Sequence, residues 1–389
     1  MKLEKLTIRN IRNLEEVAIP CDRGIHFIHG LNAQGKTSIL ESIYLLSNLR
    51  SFRDSDLHAL LKQGKEFGQV KGAFKIDATT EAELKVELVQ GPSRFEKRAY
   101  INQKLSKSAL DYFGVKLHHS PIQFHAINLN PTSTDLMRGE PSLRRNYLNQ
   151  VISSENPEYL NILKHYQKSL DQKNALLKQE ERFDFQLLKI LNENIIKSGA
   201  ELIFWRLSYL QKIAAPVLEF LSNIAPHQTP VNLAYKQGET LHFTGHFDLP
   251  SIQILMENLH QKLTEKGPLE RVRKTSLVGP HRDDLVFKVG NQKSHLDADL
   301  VNVGSQGEIR SVLLALKLAE LEEFEKKTEV QPVLLIDDFS SELDSTRRGF
   351  LLNYLENSEL QIFVTSTDDL SRSLGSRGIS IQMNQGKVI

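Results

Sequence analysis

Near the start of the chain, Gly30-Leu31-Asn32-Ala33-Gln34-Gly35-Lys36-Thr37 has the residue types and spacing of a phosphate-binding loop, G-x-x-x-x-G-K-[ST]. Gly30 and Gly35 permit backbone angles that a side chain would forbid, so successive N–H groups can turn inward on an anion. Lys36 adds a point charge for the outer phosphates, and the Thr37 hydroxyl is expected to bind Mg²⁺. A second site stands far along the chain, where the apolar run Val333-Leu334-Leu335-Ile336 ends in Asp337-Asp338. Acids at the end of a short buried strand complete a phosphate-loop ATPase. Asp337 is expected to hold Mg²⁺, directly or through water, and Asp338 to polarise the attacking water. The third candidate is Gly304-Ser305-Gln306-Gly307-Glu308, where serine and glycine at a helix N-terminus offer another anion site.

Particular elements must position these groups. Ile25, Phe27 and Ile28 predict a short strand feeding the loop, and Leu40, Ile43, Tyr44 and Leu46 continue at helical spacing behind it. The N-terminal dipole of that helix favours the same anion. Alternating apolar residues predict strands at Val70–Ile76, Ala82–Leu88 and Leu285–Val289, with a hairpin turn at Gly290-Asn291. From Pro141 the text turns helical, with Leu163, Tyr166, Leu170 and Leu177 in step. A second long helix carries Ile195, Leu202, Trp205 and Ile213, punctuated by Pro216, Pro226 and Pro230. A β-like piece over Leu233–Phe243 and a helix over Ile252–Leu263 follow. The last stretch predicts helices over Ile309–Lys326 and Ser345–Leu355, a strand at Ile362–Val364 and a closing hairpin at Asn384-Gln385-Gly386. Strands alternating with helices imply an α/β fold with a mainly parallel sheet.

Composition narrows the classes. The 389 residues are 40% hydrophobic and 25% charged, an ordinary globular balance with room for two or three domains. One cysteine, Cys21, excludes an internal disulfide and a Cys-only zinc site, which suits a reducing compartment. The most apolar stretch, Ala200 to Leu221, is broken by Arg206 and Lys212, so no membrane partner is expected. With a net charge of +1, any nucleic acid must be held by a local patch. Arg94 to Lys116 is locally basic, and Lys97, Arg98 and Lys104, with Arg53, are the candidates for DNA contact. A solvated face is the other reading of that run. Arg144-Arg145 is open in the same way, between phosphate contact, anchoring of the helical segment and a plain surface pair.

Ser340-Ser341-Glu342-Leu343-Asp344, directly after the paired acids, resembles the D-loop of ABC-type ATPases. The Ser305 segment lies ahead of the acidic strand, where such heads keep their signature motif. In that class the serine meets the γ-phosphate of the nucleotide held by the opposite subunit. The usual order is Ser-Gly-Gly-Gln; here Gln306 takes the first glycine and Glu308 the glutamine. Thr367 falls at the switch position where many relatives have histidine. With these pieces the chain resembles the RecF family across nearly its whole length. Besides the loops, the resemblance rests on Ser51-Phe52-Arg53, Gly139 to Arg145, Leu170 to Lys178 and Val278 to Asp284. Three departures stand out. Asn130-Pro131-Thr132-Ser133 lacks the two acids usual there, Asn149 replaces an aspartate, and Lys173 replaces an arginine.

The resemblance implies an ABC-type head in two halves, 1–140 with the phosphate loop and 267–389 with the signature, acids and D-loop, around a helical lobe at 141–266. It further implies a homodimer sandwiching ATP and Mg²⁺, binding of duplex DNA or double-strand/single-strand junctions, and cooperation with RecO and RecR in loading RecA. ATP hydrolysis would be weak and act as a switch, in the cytoplasm at the nucleoid, during DNA replication, repair and the SOS response. Two rivals make different demands. A chromosome-organising SMC head needs hundreds of heptad residues between its halves, and the lobe is too short. An ATPase-coupled nuclease needs an acidic domain after Asp344, and too few residues follow it in this sequence. A paralogue of that family, or an SMC-like ATPase head, serving another DNA-maintenance or defence pathway is the remaining alternative.

Overall fold

Alternation builds the first sheet. β1 (Lys2–Ile11) and β2 (Leu14–Pro20) bury Leu6, Ile8, Ile11, Leu14 and Val17 on one face. β3 (Ile25–His29) leads into the phosphate loop, and α1 (Lys36–Asn48) leaves it. β4 (Phe67–Lys75), β5 (Glu81–Gln90), β6 (Phe95–Ile101) and β7 (Lys104–Leu105) complete an antiparallel sheet in the order β2-β1-β4-β5-β6-β7. A short helix, α2 (Ala109–Phe113), and a two-residue pair, β8 (Lys116–Leu117) with β9 (Ser120–Pro121), precede β10 (Ala126–Leu129). This computed structural model describes the chain apart from residues 23, 54–55, 77–78, 92–93, 114–115, 118–119, 122–123, 130–133, 180–182, 244–247, 291–297, 340–343 and 368–377.

The chain divides into two compact units, Met1–Ser133 with Glu320–Ile389, and Thr134–Ala319. The second unit begins with α3 (Asp135–Arg138), α4 (Pro141–Glu155), α5 (Pro157–Leu177) and α6 (Phe185–Ile224). Then come β11 (Val231–Gln237), β12 (Thr240–Phe243), α7 (Ile252–Arg273), β13 (Asp284–Val289), β14 (Ala298–Asp299) and α8 (Leu300–Val303). α9 (Gln306–Thr328) starts in this unit and ends in the first. Residues 267–319 share the unit of the helical stretch, where β13 pairs along its length with β11.

α6 runs unbroken through Pro216, where the sequence suggested a break. A proline inside a helix costs about 3 kcal/mol by losing one hydrogen bond and crowding the preceding turn. Here Ile213, Val217, Phe220 and Leu221 are buried on either side of it, and that apolar surface offsets the cost. α7 likewise continues through Pro268 to Arg273, beyond the expected Leu263. The turn expected at Gly290-Asn291 reaches outside the described residues.

A polar core ties this unit together. The Arg206 guanidinium, 2% exposed, donates to Tyr159 Oη at 3.2 Å, Tyr235 Oη at 2.9 Å, Pro280 O at 2.7 Å and Asn149 Oδ1 at 2.9 Å. Tyr235 in turn donates to Asp283 Oδ2 at 2.9 Å. Asn149 thus serves as a neutral acceptor where a relative's aspartate would bring charge. Lys173 is buried against Glu270 at 2.7 Å, and Arg144 grips Asp284 through two bonds of 2.8 Å. Arg145 donates to Asp283 O at 3.1 Å, so both arginines anchor α4 to the start of β13.

The remaining chain returns to the first unit with β15 (Val333–Ile336), α10 (Ser345–Asn357), β16 (Gln361–Ser366), β17 (Gly378–Asn384) and β18 (Lys387–Val388). Strands from both ends of the chain interleave in the order β10-β15-β16-β3-β17-β18, parallel from β10 to β17. All four β15 residues are buried, as expected of a parallel strand covered on both faces. Among the described residues no helix is long and apolar enough to cross a membrane.

Candidate nucleotide site

The phosphate loop lies between the end of β3 and the start of α1. Its turn needs left-handed backbone at Gly35 (φ 97°) and Ala33 (φ 63°), and Gly30 sits at φ 146°. A Cβ on Gly30 would collide with the Met383 carbonyl oxygen, so glycine is required there for close approach as well. α1 has no side-chain cap, which leaves its first N–H groups for a ligand. Lys36 Nζ folds back over the loop, donating to Gly30 O at 2.6 Å and Leu31 O at 2.9 Å. Burial lowers the Lys36 pKa, and the charges of Asp338 and Asp337 partly offset that effect.

Asn32 to Thr37 line a cavity of about 870 Å³ together with Asp337, Asp338 and Thr365. Thr37 Oγ1 donates to Asp337 Oδ1 at 2.9 Å, joining positions 300 residues apart. Parallel pairing of β3 with β16, and of β16 with β15, places both groups at the same end of the sheet. A hydroxyl and a carboxylate converging beside the phosphate cavity suit a hard, oxygen-seeking cation such as Mg²⁺. No cluster of three or more metal-binding side chains exists among the described residues, so phosphate and water would supply its other ligands.

Thr365 is a participant that sequence reading missed. Its Oγ1 donates to Asp337 Oδ1 at 2.7 Å and accepts the Asp338 N–H at 2.9 Å. It thereby holds the turn in which Asp338 adopts a left-handed φ of 52°. Thr367, two residues on, is exposed just past β16. Arg53, a candidate for DNA contact, lies on the cavity wall with Arg12 and Lys62.

Ser305 and Gly307 belong to the second unit. Ser305 Oγ accepts the Glu308 N–H at 3.2 Å, and Glu308 Oε2 accepts the Ser305 N–H at 2.7 Å. This reciprocal capping box opens α9 and gives Glu308 a definite task. The D-loop residues 340–343 and the loop 130–133 lie outside the described residues. Asp344 caps α10 by accepting the Arg347 N–H at 2.9 Å.

The basic strip is divided by the period of its strand. Neighbours on β6 face opposite ways. Lys97 reaches back to donate to Leu49 O at 2.8 Å, and burial, with Arg50 adding repulsion, lowers its pKa. Arg98 shares Glu96 with Arg94 on the other face. Lys104 is exposed on β7.

A phosphate loop, a strand-end acid pair and a mixed α/β sheet define an ABC-type P-loop ATPase fold. The family model described as RecF/RecN/SMC N terminal domain matches residues 2–389, and the chain belongs to that family. Within it, the chain matches bacterial RecF closely. It is 34% identical over 368 residues to the DNA replication and repair protein RecF of Geobacter sulfurreducens, covering 95% of this chain and 93% of that one. The RecF protein of Geotalea daltonii is 31% identical over 369 residues, covering 94% and 93%. A solved structure of the recombination mediator protein RecF with ATP, in the RecFOR pathway, superposes with a TM-score of 0.84 at 30% identity, covering 100% of this chain and 97% of that one. The Smc head domain of Pyrococcus furiosus has a TM-score of 0.52 at 15% identity and shares the fold.

Proposed function

We propose that this chain is an ATP-driven DNA-binding switch that acts in replication and in the recombinational repair of gaps. The observation that carries the reading is the closure of Thr37 on Asp337 beside an open phosphate loop. That closure gathers a phosphate site, a cation site and, at Asp338, a carboxylate for the attacking water. Mg²⁺ held by Thr37 and Asp337 would neutralise the outer phosphates. Gly30 to Thr37 cradle ATP with Thr367 at the switch position, and Ser305 and Gly307 complete the site of a partner copy. The functional division is a head formed by 1–140 and 267–389 around the lobe 141–266. One phosphate loop and one signature per chain imply a homodimer that forms on ATP.

In the dimer, duplex DNA or a double-strand/single-strand junction is bound, RecR and RecO are engaged to load RecA, and slow hydrolysis releases the assembly in the cytoplasm. Lys97, Arg98 and Lys104 are the candidate cations of the strip, all three exposed, and Lys97 contributes only if its bond to Leu49 opens. Gel filtration with and without ATP, each with and without duplex DNA, tests the reading. A shift to the dimer with ATP, and DNA co-elution only then, is expected. A monomer under all four conditions, or DNA binding indifferent to ATP, would overturn it.

A further inference from the structure

The phosphate loop is held by two turns distant in sequence. Asn13, in the turn between β1 and β2, donates from Nδ2 to Ala33 O at 3.1 Å, while its Oδ1 accepts Ser38 Oγ–H at 3.1 Å. The turn between β17 and β18 supplies the second hold. There the Gly386 N–H donates to Gln34 O at 3.1 Å, and the Gln385 N–H donates to Gln34 Oε1. Gln385 and Gly386 both have positive φ, 47° and 76°, as a tight two-residue hairpin requires. A Cβ on Gly386 would lie 2.6 Å from Asn13 O, so the two turns also abut each other.

A trans peptide is planar, with its C=O and the following N–H pointing opposite ways. Tying Ala33 C=O to Asn13 therefore turns the Gln34 N–H away from Asn13. Tying Gln34 C=O to Gly386 likewise turns the Gly35 N–H away from the hairpin. Neither N–H has an acceptor among the described residues, and both residues line the cavity. We infer that Asn13 and the Gln385-Gly386 turn are positioning elements that aim the Gln34 and Gly35 N–H groups at a bound phosphate. The hairpin is thus a working part of the nucleotide site, although none of its atoms is expected to touch the nucleotide. The inference rests on the reading of this cavity as a phosphate site.

The test uses the full chain labelled with ¹⁵N-glycine and titrated with inorganic tripolyphosphate, which probes the loop without a base or sugar. In the unsubstituted protein the Gly35 amide should shift on titration. Asn13→Ala and Gly386→Ala should raise the titration midpoint about five- to tenfold, the worth of roughly one hydrogen bond. The unfolding temperature of Asn13→Ala should stay close to that of the unsubstituted protein, whereas Gly386→Ala, with its left-handed φ and its Cβ against Asn13 O, should unfold at a lower temperature. Gln34→Ala, which removes only the side-chain acceptor, should raise the midpoint by a smaller factor and decides the matter if either of the others fails to fold. Unchanged midpoints in the folded variants would overturn the positioning role and leave the phosphate site standing. A Gly35 amide indifferent to tripolyphosphate in the unsubstituted protein would overturn the site itself, and the positioning role with it.

Discussion

Arg12 grips both carboxylate oxygens of Glu41, Nε to Oε2 at 2.9 Å and Nη2 to Oε1 at 2.8 Å. The Glu41 side chain is fully buried on α1, one turn beyond Thr37, and the Arg12 side chain retains 20% exposure. Arg12 also donates to Ala59 O at 2.7 Å. Ser51 donates to the same carboxylate and accepts the Arg53 N–H at 2.9 Å, so one buried acid braces two arginines of the cavity wall.

Removing that acid strands Arg12. Glu41→Ala should lower stability by roughly 3 kcal/mol, the lower end for breaking a buried pair, because Arg12 can still reach water. Denaturant unfolding checks this. A loss under about 0.5 kcal/mol, the size expected of an exposed pair, would show that the pair behaves as a surface contact.

Asp338→Asn should bind ATP normally and hydrolyse it roughly 10²–10⁴-fold more slowly, since an amide cannot accept a proton from the attacking water. The variant should therefore accumulate as an ATP-bound dimer. Single-turnover ATPase measurements check it. Turnover equal to that of the unsubstituted protein would move the role to another acid.

Ser305→Arg should leave a folded monomer that binds ATP and does not dimerise, because a bulky cation replaces the small capping side chain. Lys36→Ala should bind ATP at least tenfold more weakly, as a charge-assisted contact is worth about 1.5–3 kcal/mol. Each substitution spoils a different half of a shared site, so mixing the two proteins should restore part of the ATPase rate. A mixture no more active than its components would rule out sites shared between chains.

The buried acid of the second unit predicts a pH effect. Burial pushes Asp283 up to about 6, with the Arg206 charge pulling the other way, and burial holds His281 down to about 4. A raised carboxyl pKa means the folded state binds the proton more tightly than the unfolded chain. The Asp283 contribution to stability is therefore full below about 3.8 and lost as pH rises through about 6. His281 has the opposite sign, gaining stability as pH rises from about 4 to about 6.5. The stability of Asp283→Asn relative to the unsubstituted protein should therefore climb between pH 4 and 6 and level off above. Urea unfolding at pH 4.5, 5.5 and 6.5 checks this, and a flat or falling difference would contradict it.

The chemistry at Gly30 to Thr37 and Asp337-Asp338 was legible because it is written in short runs with fixed spacing, each beside its own strand. Long-range complements were not. Thr365 sits in a strand whose six residues are all buried, and nothing local distinguishes its hydroxyl from that of a packed core threonine. The bond from Gly386 to Gln34 spans nearly the whole chain, so only the assembled sheet reveals it. The strip of Lys97 and Arg98 read as one face because charge was counted along the chain; the two-residue period of β6 divides it. Pro216 read as a break because a local rule carries no knowledge of the apolar neighbours on either side.

The interleaved strand order has a consequence for synthesis. β3 stands between β16 and β17, so the strand that feeds the phosphate loop has no sheet neighbour until the last part of the chain has emerged. The second unit is one continuous segment, Thr134–Ala319, and can close while the residues after it are still being added. On the ribosome, the oldest motif in the nascent polypeptide is then the last to become a working site.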